Sequence, residues 1–120
     1  MQNIKMEDEI FSATQNIIKN MSDNLSNHDI SIHDILKSSG YAEGYIRAQF
    51  KKVTGKTPNR FLSEIRIGYA CNLIDIYGNY LPLSEVAEKS GYTDYVYFSR
   101  KFKQIKGISP REYSKLQKKV

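Results

Sequence analysis

The stretch GYTDYVYFSRKFKQIKGISPREY, residues 91–113, mixes rings with basic side chains between two glycine breaks, and a near copy, GYAEGYIRAQFKKVTGKTPNRF, occupies residues 40–61. The likeness extends further along the chain. HDILKSSGY, residues 33–41, lies over SEVAEKSGY, residues 84–92, at an offset of 51, and FKKVTGKTP, residues 50–58, lies over FKQIKGISP, residues 102–110, at an offset of 52. One residue is therefore inserted in the second turn. Each copy reads as a short helix, a turn containing Gly, a longer basic helix, then Gly and the capped start of a further helix, which is the order of a helix-turn-helix. Two copies are too few for a stacked solenoid, and neither is long enough to bury both faces of its helices alone.

Around the repeat, Pro and Gly stand only at joints, and between them apolar residues recur at helical spacing without the alternation of strands. The pattern is all-α. Ile10, Thr14, Ile17, Ile18 and Met21 make the stripe of a first helix over residues 7–21. Ser31 and Asp34 resemble a capping box that opens a short helix over residues 32–38, ended by Gly40. A third helix covers residues 43–54 with Ile46, Phe50 and Val53 inward, and Gly55 closes it. Thr57 and Pro58 supply a cap and a first-turn proline for the longest helix, to residue 77, with Phe61, Leu62, Ile65, Tyr69, Leu73 and Ile74 along one side. YGNYLP breaks the chain, a fifth helix takes residues 84–89, Gly91 repeats the Gly40 break, and a sixth spans residues 94–106. Ser109, Pro110 and Glu112 form a full capping box for a last helix.

Composition bounds the rest. A chain of 120 residues with 40% hydrophobic content supports one domain, or two very small ones sharing a scaffold. No run approaches the length of a membrane span, and the N-terminus lacks the basic flank and apolar centre of a signal peptide. The net charge is +5, and it is directional: residues 1–40 hold three lysines against six acids, a net of −3, whereas residues 41–120 hold fifteen Lys or Arg against seven acids, a net of +8. A folded domain so biased is suited to a polyanion, of which nucleic acid is the commonest in a cytosol; the plain alternative is a solubilising lysine-rich surface.

The faces of the two basic helices locate the chemistry. With Phe98, Phe102 and Ile105 inward, the sixth helix presents Val96, Ser99, Arg100 and Lys103; the third, aligned on its Phe, presents Gly44, Arg47, Ala48 and Lys51 at the same places. The rings hold each unit together and the basic and hydroxyl groups point away. A helix fits the major groove of B-DNA, where Arg can give two hydrogen bonds to guanine O6 and N7. Arg47 and Arg100 are thus candidate base readers, and Lys51, Lys52, Lys56, Lys101, Lys103 and Lys106 candidate phosphate contacts. A continuous helix to residue 77 would be about 28 Å long, compatible with the roughly 34 Å between successive major grooves.

Taken together these residues resemble the C-terminal DNA-binding domain of the AraC/XylS family of bacterial transcription regulators. The likeness covers residues 7–113; it is strongest in LSEVAEKSGYTDYVYFSRKFKQIKGISPREY, residues 83–113, and IRIGYACNLI, residues 65–74, is similar to the family's Arg-Leu-x-x-Ala-x-x-Leu-Leu pattern. The resemblance implies about seven helices in two homeodomain-like helix-turn-helix subdomains, residues 1–57 and 78–120, joined by a linker helix, residues 58–77. It implies sequence-specific binding of double-stranded promoter DNA, regulation of transcription, and recognition helices in successive major grooves. It assigns base reading to Gly44, Arg47 and Ala48 in the first unit and to Tyr95, Val96, Ser99 and Arg100 in the second. Gly44 and Ala48 depart from the large polar side chains frequent in the family, so the first unit reads few bases, and Tyr95 also falls on the inward spacing of Phe98 and Phe102. Further expectations are RNA polymerase as a second partner, no membrane, no cofactor, no metal, no enzymatic activity, and a cytoplasmic, nucleoid-associated location. Family members usually carry an effector, dimerising or receiver domain ahead of this one. The chain is then either a stand-alone regulator that binds as a monomer or a fragment that dimerises through a missing N-terminal domain.

Two other signals lead nowhere. The His-Asp pairs at His28-Asp29 and His33-Asp34 sit at a loop and a helix start, where capping explains them better than a metal site, which needs further ligands on a fixed scaffold. Cys71, beside Ala70, reads as a small core residue. Two other function classes stay open, a helical adaptor that binds only protein and an RNA-binding helical domain. The first has no need of matched basic faces on both repeats, and the second would use exposed rings as stacking platforms.

Overall fold

Pro58 is buried at the first turn of a 20-residue helix that the sequence predicts to be the longest but that is second in length to the 22-residue first helix. A computed structural model describes residues 2–117. Among them are seven α-helices: α1 (Gln2–Asp23), α2 (Ile32–Lys37), α3 (Glu43–Thr54), α4 (Pro58–Tyr77), α5 (Leu83–Lys89), α6 (Tyr95–Lys106) and α7 (Pro110–Gln117). A single 3₁₀ turn, Gly78–Tyr80, follows α4, and none of these helices is long and apolar enough to cross a membrane. The all-helical reading is what the described residues form.

Two compact units divide the chain. The first holds residues 1–24 and 29–62. Its core is Ile10, Ala13, Thr14, Ile17 and Met21 of α1, Ile35 and Leu36 of α2, Ile46 and Phe50 of α3, and Leu62 in the first turns of α4. Phe61 stands edge-on to Phe50, with ring centroids 5.4 Å apart. The buried Thr14 hydroxyl donates to the Ile10 carbonyl at 2.9 Å, which removes the cost of a lone hydroxyl in an apolar core.

In α1 and α3 the predicted stripes hold with two corrections. Ile18 is only half-buried, and Ala13, on the opposite edge of the α1 stripe, is buried. Val53 is exposed: a heptad drifts by about 20° on a straight helix, so Val53 comes to the edge of the Ile46–Phe50 stripe. There it lines a surface groove of about 460 Å³ with Ile10, Phe11 and Tyr45.

The second unit holds residues 25–28 and 63–120. Its core joins Ile67, Ala70, Cys71, Leu73 and Ile74 of α4 to Val86 and Ala87 of α5, Tyr92, and Phe98 and Phe102 of α6. Ile67 and Ala70 lie off the single stripe predicted for α4. Arg66 ties the segment 25–28 to this unit: its Nε–H donates to the Leu25 carbonyl at 3.0 Å and a terminal nitrogen to that of Asn27 at 2.9 Å, while the guanidinium lies over the Tyr92 ring. The Tyr113 hydroxyl donates to Asp75 at 3.0 Å. Burial pushes the Cys71 thiol up, which keeps it protonated and inert.

Candidate nucleic-acid interface

Each candidate reading helix is fixed at its ends before its outer face is set. Asp94 is the N-cap of α6, not its first residue, and its carboxylate accepts from the Val96 and Tyr97 N–H groups at 2.9 and 3.4 Å. The start of the next helix, α7, is a reciprocal capping box: the Ser109 N–H donates to Glu112 Oε1 at 3.2 Å, and the Glu112 N–H to Ser109 Oγ at 3.1 Å. In the first unit, Ala42 precedes α3 without a side-chain cap, but the Arg60 N–H finds Thr57 Oγ1 at 3.2 Å at the head of α4.

With Phe98 and Phe102 fully buried, the opposite side of α6 faces solvent. Val96 is 64% exposed, Arg100 and Lys103 are exposed, and Ser99 is half-buried. No hydrogen bond or ion pair engages Arg100 among the described residues, so its whole guanidinium is available. Tyr95 does both things its position allows: 38% exposed, it also packs its ring 5.7 Å from that of Phe98. Lys101 is half-buried, its ammonium 5.8 Å from the centroid of the Tyr97 ring, which is itself partly exposed. Lys106 is exposed, and Lys103 stands within electrostatic reach of Glu112.

The face of α3 is built differently. Gly44 and Ala48 are exposed, and nothing lies within 4 Å of where a Gly44 side chain would begin. Lys51, Lys52 and Lys56 are exposed. Arg47 alone reaches far, and it is held. One terminal nitrogen donates to Glu43 Oε2 at 3.1 Å, one turn back on α3, and the other to Asn59 Oδ1 on α4 at 3.2 Å. The other oxygen of Glu43, Oε1, contacts His33 Nδ1 on α2. The Arg47 hydrogen bond, with His33 adding to it, holds the Glu43 carboxyl below the usual carboxylate range. The Arg47 side chain remains 40% exposed.

The candidate readers thus gather on one face of each helix, Gly44, Arg47 and Ala48 on α3 and Val96, Ser99 and Arg100 on α6, with Tyr95 at the margin. The sequence pattern did not single out Glu43, Asn59 or Tyr97. Glu43 to Arg47 and Tyr97 to Lys101 are both four residues apart, a spacing that places side chains together on a helix and could have found them. Asn59, twelve residues from Arg47 on another helix, gave no such signal. No cluster of three or more metal-ligating side chains occurs among the described residues.

A profile of the helix-turn-helix domain matches residues 35–116. The chain is 36% identical over 66 residues to the MmsAB operon regulatory protein of Pseudomonas aeruginosa, covering 55% of this chain and 21% of that protein. Among solved structures, it superposes on the C-terminal domain of AraT, a response regulator of Geobacillus stearothermophilus, with a TM-score of 0.79 at 25% identity, covering 87% of this chain and 84% of that one. The DNA-binding domain of AdpA, solved in complex with a target DNA, shares the fold with a TM-score of 0.78 at 18% identity, over 86% of this chain and 90% of its own. The chain spans 21% to 34% of the length of the curated relatives it matches.

Proposed function

The chain belongs to the AraC-type helix-turn-helix family, and from that membership we propose that it binds duplex DNA sequence-specifically and regulates transcription, with α3 and α6 as its two reading helices. The observation that carries the reading is the outer face of α6. An exposed Arg100, without a hydrogen-bond or ion-pair partner among the described residues, stands beside exposed Val96 and half-buried Ser99, over a core that fixes the helix through Phe98 and Phe102. Arg suits guanine, Val the thymine methyl, and Ser either base of a pair. Lys51, Lys52, Lys56, Lys101, Lys103 and Lys106 supply phosphate contacts, which set position and most of the affinity without carrying sequence.

The same reading places the two helices in successive major grooves, with residues 1–57 and 78–120 as the reading subdomains and residues 58–77 as the linker. The chain's work is binding, not catalysis, and its place of action is the cytoplasmic nucleoid, with RNA polymerase as the second partner. The repeats are non-identical and run head to tail, so the chain binds as a monomer to an asymmetric site.

Selection from random duplex DNA tests this. The expected outcome is a non-palindromic consensus of about two major-groove turns. A clean palindrome bound only by dimers contradicts it, and duplex RNA competing as well as DNA would favour the RNA-binding alternative. With about six phosphates neutralised, log affinity should fall against log salt with a slope near −5; a slope shallower than about −2 would make the basic bias a solvated surface.

A further inference from the structure

We propose that Glu43 and Asn59 are positioning residues for Arg47, fixing its guanidinium so that the first unit requires guanine at one position of its site. This rests on the DNA-reading function above and adds to it how the α3 face obtains specificity with so few long side chains. Gly44 and Ala48 can neither buttress Arg47 nor read polar base edges themselves. The support comes from elsewhere: Glu43 Oε2 and Asn59 Oδ1 each take a hydrogen from a different terminal nitrogen, at 3.1 and 3.2 Å. The Nε–H and one hydrogen on each terminal nitrogen remain, enough for the paired donation that guanine O6 and N7 accept.

Holding the fork in advance removes rotamer freedom that a loose arginine would lose on docking. Arg100, which has no such support, is the internal contrast. Glu43 is not a reader of cytosine in its own right, because both its oxygens are engaged, Oε2 by Arg47 and Oε1 by His33. A carboxylate at a DNA-facing surface repels phosphate, so its presence beside Arg47 weakens general binding. Its gain is therefore in selectivity, through the side chain it orients.

The test uses the full chain, the selected site and its single-base variants, at one salt concentration, with thermal melts to establish that each protein is folded. Arg47→Ala should flatten preference at one base pair, a loss of about 5- to 100-fold in discrimination. Glu43→Ala and Asn59→Ala should each lose about 3- to 10-fold of that same discrimination while random-duplex affinity stays within about 2-fold or, for Glu43→Ala, rises. Asn59→Asp, which keeps an acceptor oxygen, should retain the preference. Glu43→Leu, which fills similar space without an acceptor oxygen, serves if the alanine variant does not fold, and should shift preference in the same direction. If Arg47→Ala removes the preference while Glu43 and Asn59 variants leave it at the wild-type level, the positioning role is overturned and base reading by α3 stands. If Arg47→Ala itself leaves every preference intact, Arg47 is not a reader and both ideas fall.

Discussion

Gly40 and Gly91 occupy the same place in the two repeats, both with positive φ, 85° and 92°, yet replacing each by alanine should have very different consequences. A Cβ in this left-handed region costs about 1–2 kcal/mol, and alanine returns about 0.4–1 kcal/mol by restricting the unfolded chain. At Gly40 nothing lies within 4 Å of the added atom, so only that balance applies and the loss should be near 1 kcal/mol. At Gly91 the added Cβ would stand 2.3 Å from the Leu25 carbonyl oxygen and 2.8 Å from Arg66 Nε, the two ends of one hydrogen bond. Backbone on one side and a half-buried guanidinium on the other leave no flexible tip to give way. Losing a hydrogen bond made by a charged donor adds about 1.5–3 kcal/mol, for a total loss of roughly 2.5–4 kcal/mol at Gly91. Urea unfolding followed by circular dichroism reads both variants, and with a slope of about 1–3 kcal/mol per molar the Gly91→Ala midpoint should fall about 0.5–3 M below that of Gly40→Ala. Equal midpoints would refute the reasoning, because they would mean that the Arg66 to Leu25 contact does not constrain position 91.

Gly68 lies exposed within α4 with nothing within 4 Å of an added Cβ, so Gly68→Ala should stabilise the chain by about 0.5–1 kcal/mol in the same urea assay. Glu112, held below the usual carboxylate range chiefly by the Ser109 N–H, contributes stability that is present above its unfolded pKa and lost as pH falls through its lower folded pKa. Glu112→Gln should therefore flatten the acid limb of a stability-against-pH curve below the ordinary glutamate range, and leave its neutral-to-basic limb unchanged in shape.

Helix positions were legible because punctuation and period agreed: Gly40, Gly55, Gly91 and Gly107 stand where helices end, and α3 spans the predicted residues 43–54. The capping box at Ser109 and Glu112 was readable down to its hydrogen bonds. Burial was less legible wherever a residue lay at the edge of a stripe. Val53 and Ile18 are apolar and correctly spaced, but a few tens of degrees around a helix separate core from surface, and spacing alone does not resolve that. Ile67 and Ala70 escaped because α4 was assigned one apolar side, whereas the second unit buries more of its circumference. The outer faces of α3 and α6 followed once Phe50 and Phe102 were placed. What spacing left invisible is how the candidate readers are held, since Arg47 is held by Asn59 from a different helix, whereas no hydrogen bond or ion pair engages Arg100 among the described residues.

The reading of α6 is tested most directly by comparing Arg100→Ala with Lys103→Ala on the selected site and its single-base variants at fixed salt. Both side chains are basic and exposed on one helix, so a merely electrostatic surface would treat them alike. Arg100→Ala should cost about 1–3 kcal/mol on the best site and flatten preference at one or two base pairs. Lys103→Ala should weaken every sequence equally and make the salt slope shallower by about one unit. An Arg100→Ala protein that loses affinity by the same factor for every variant, with base preference intact, would contradict base reading by α6.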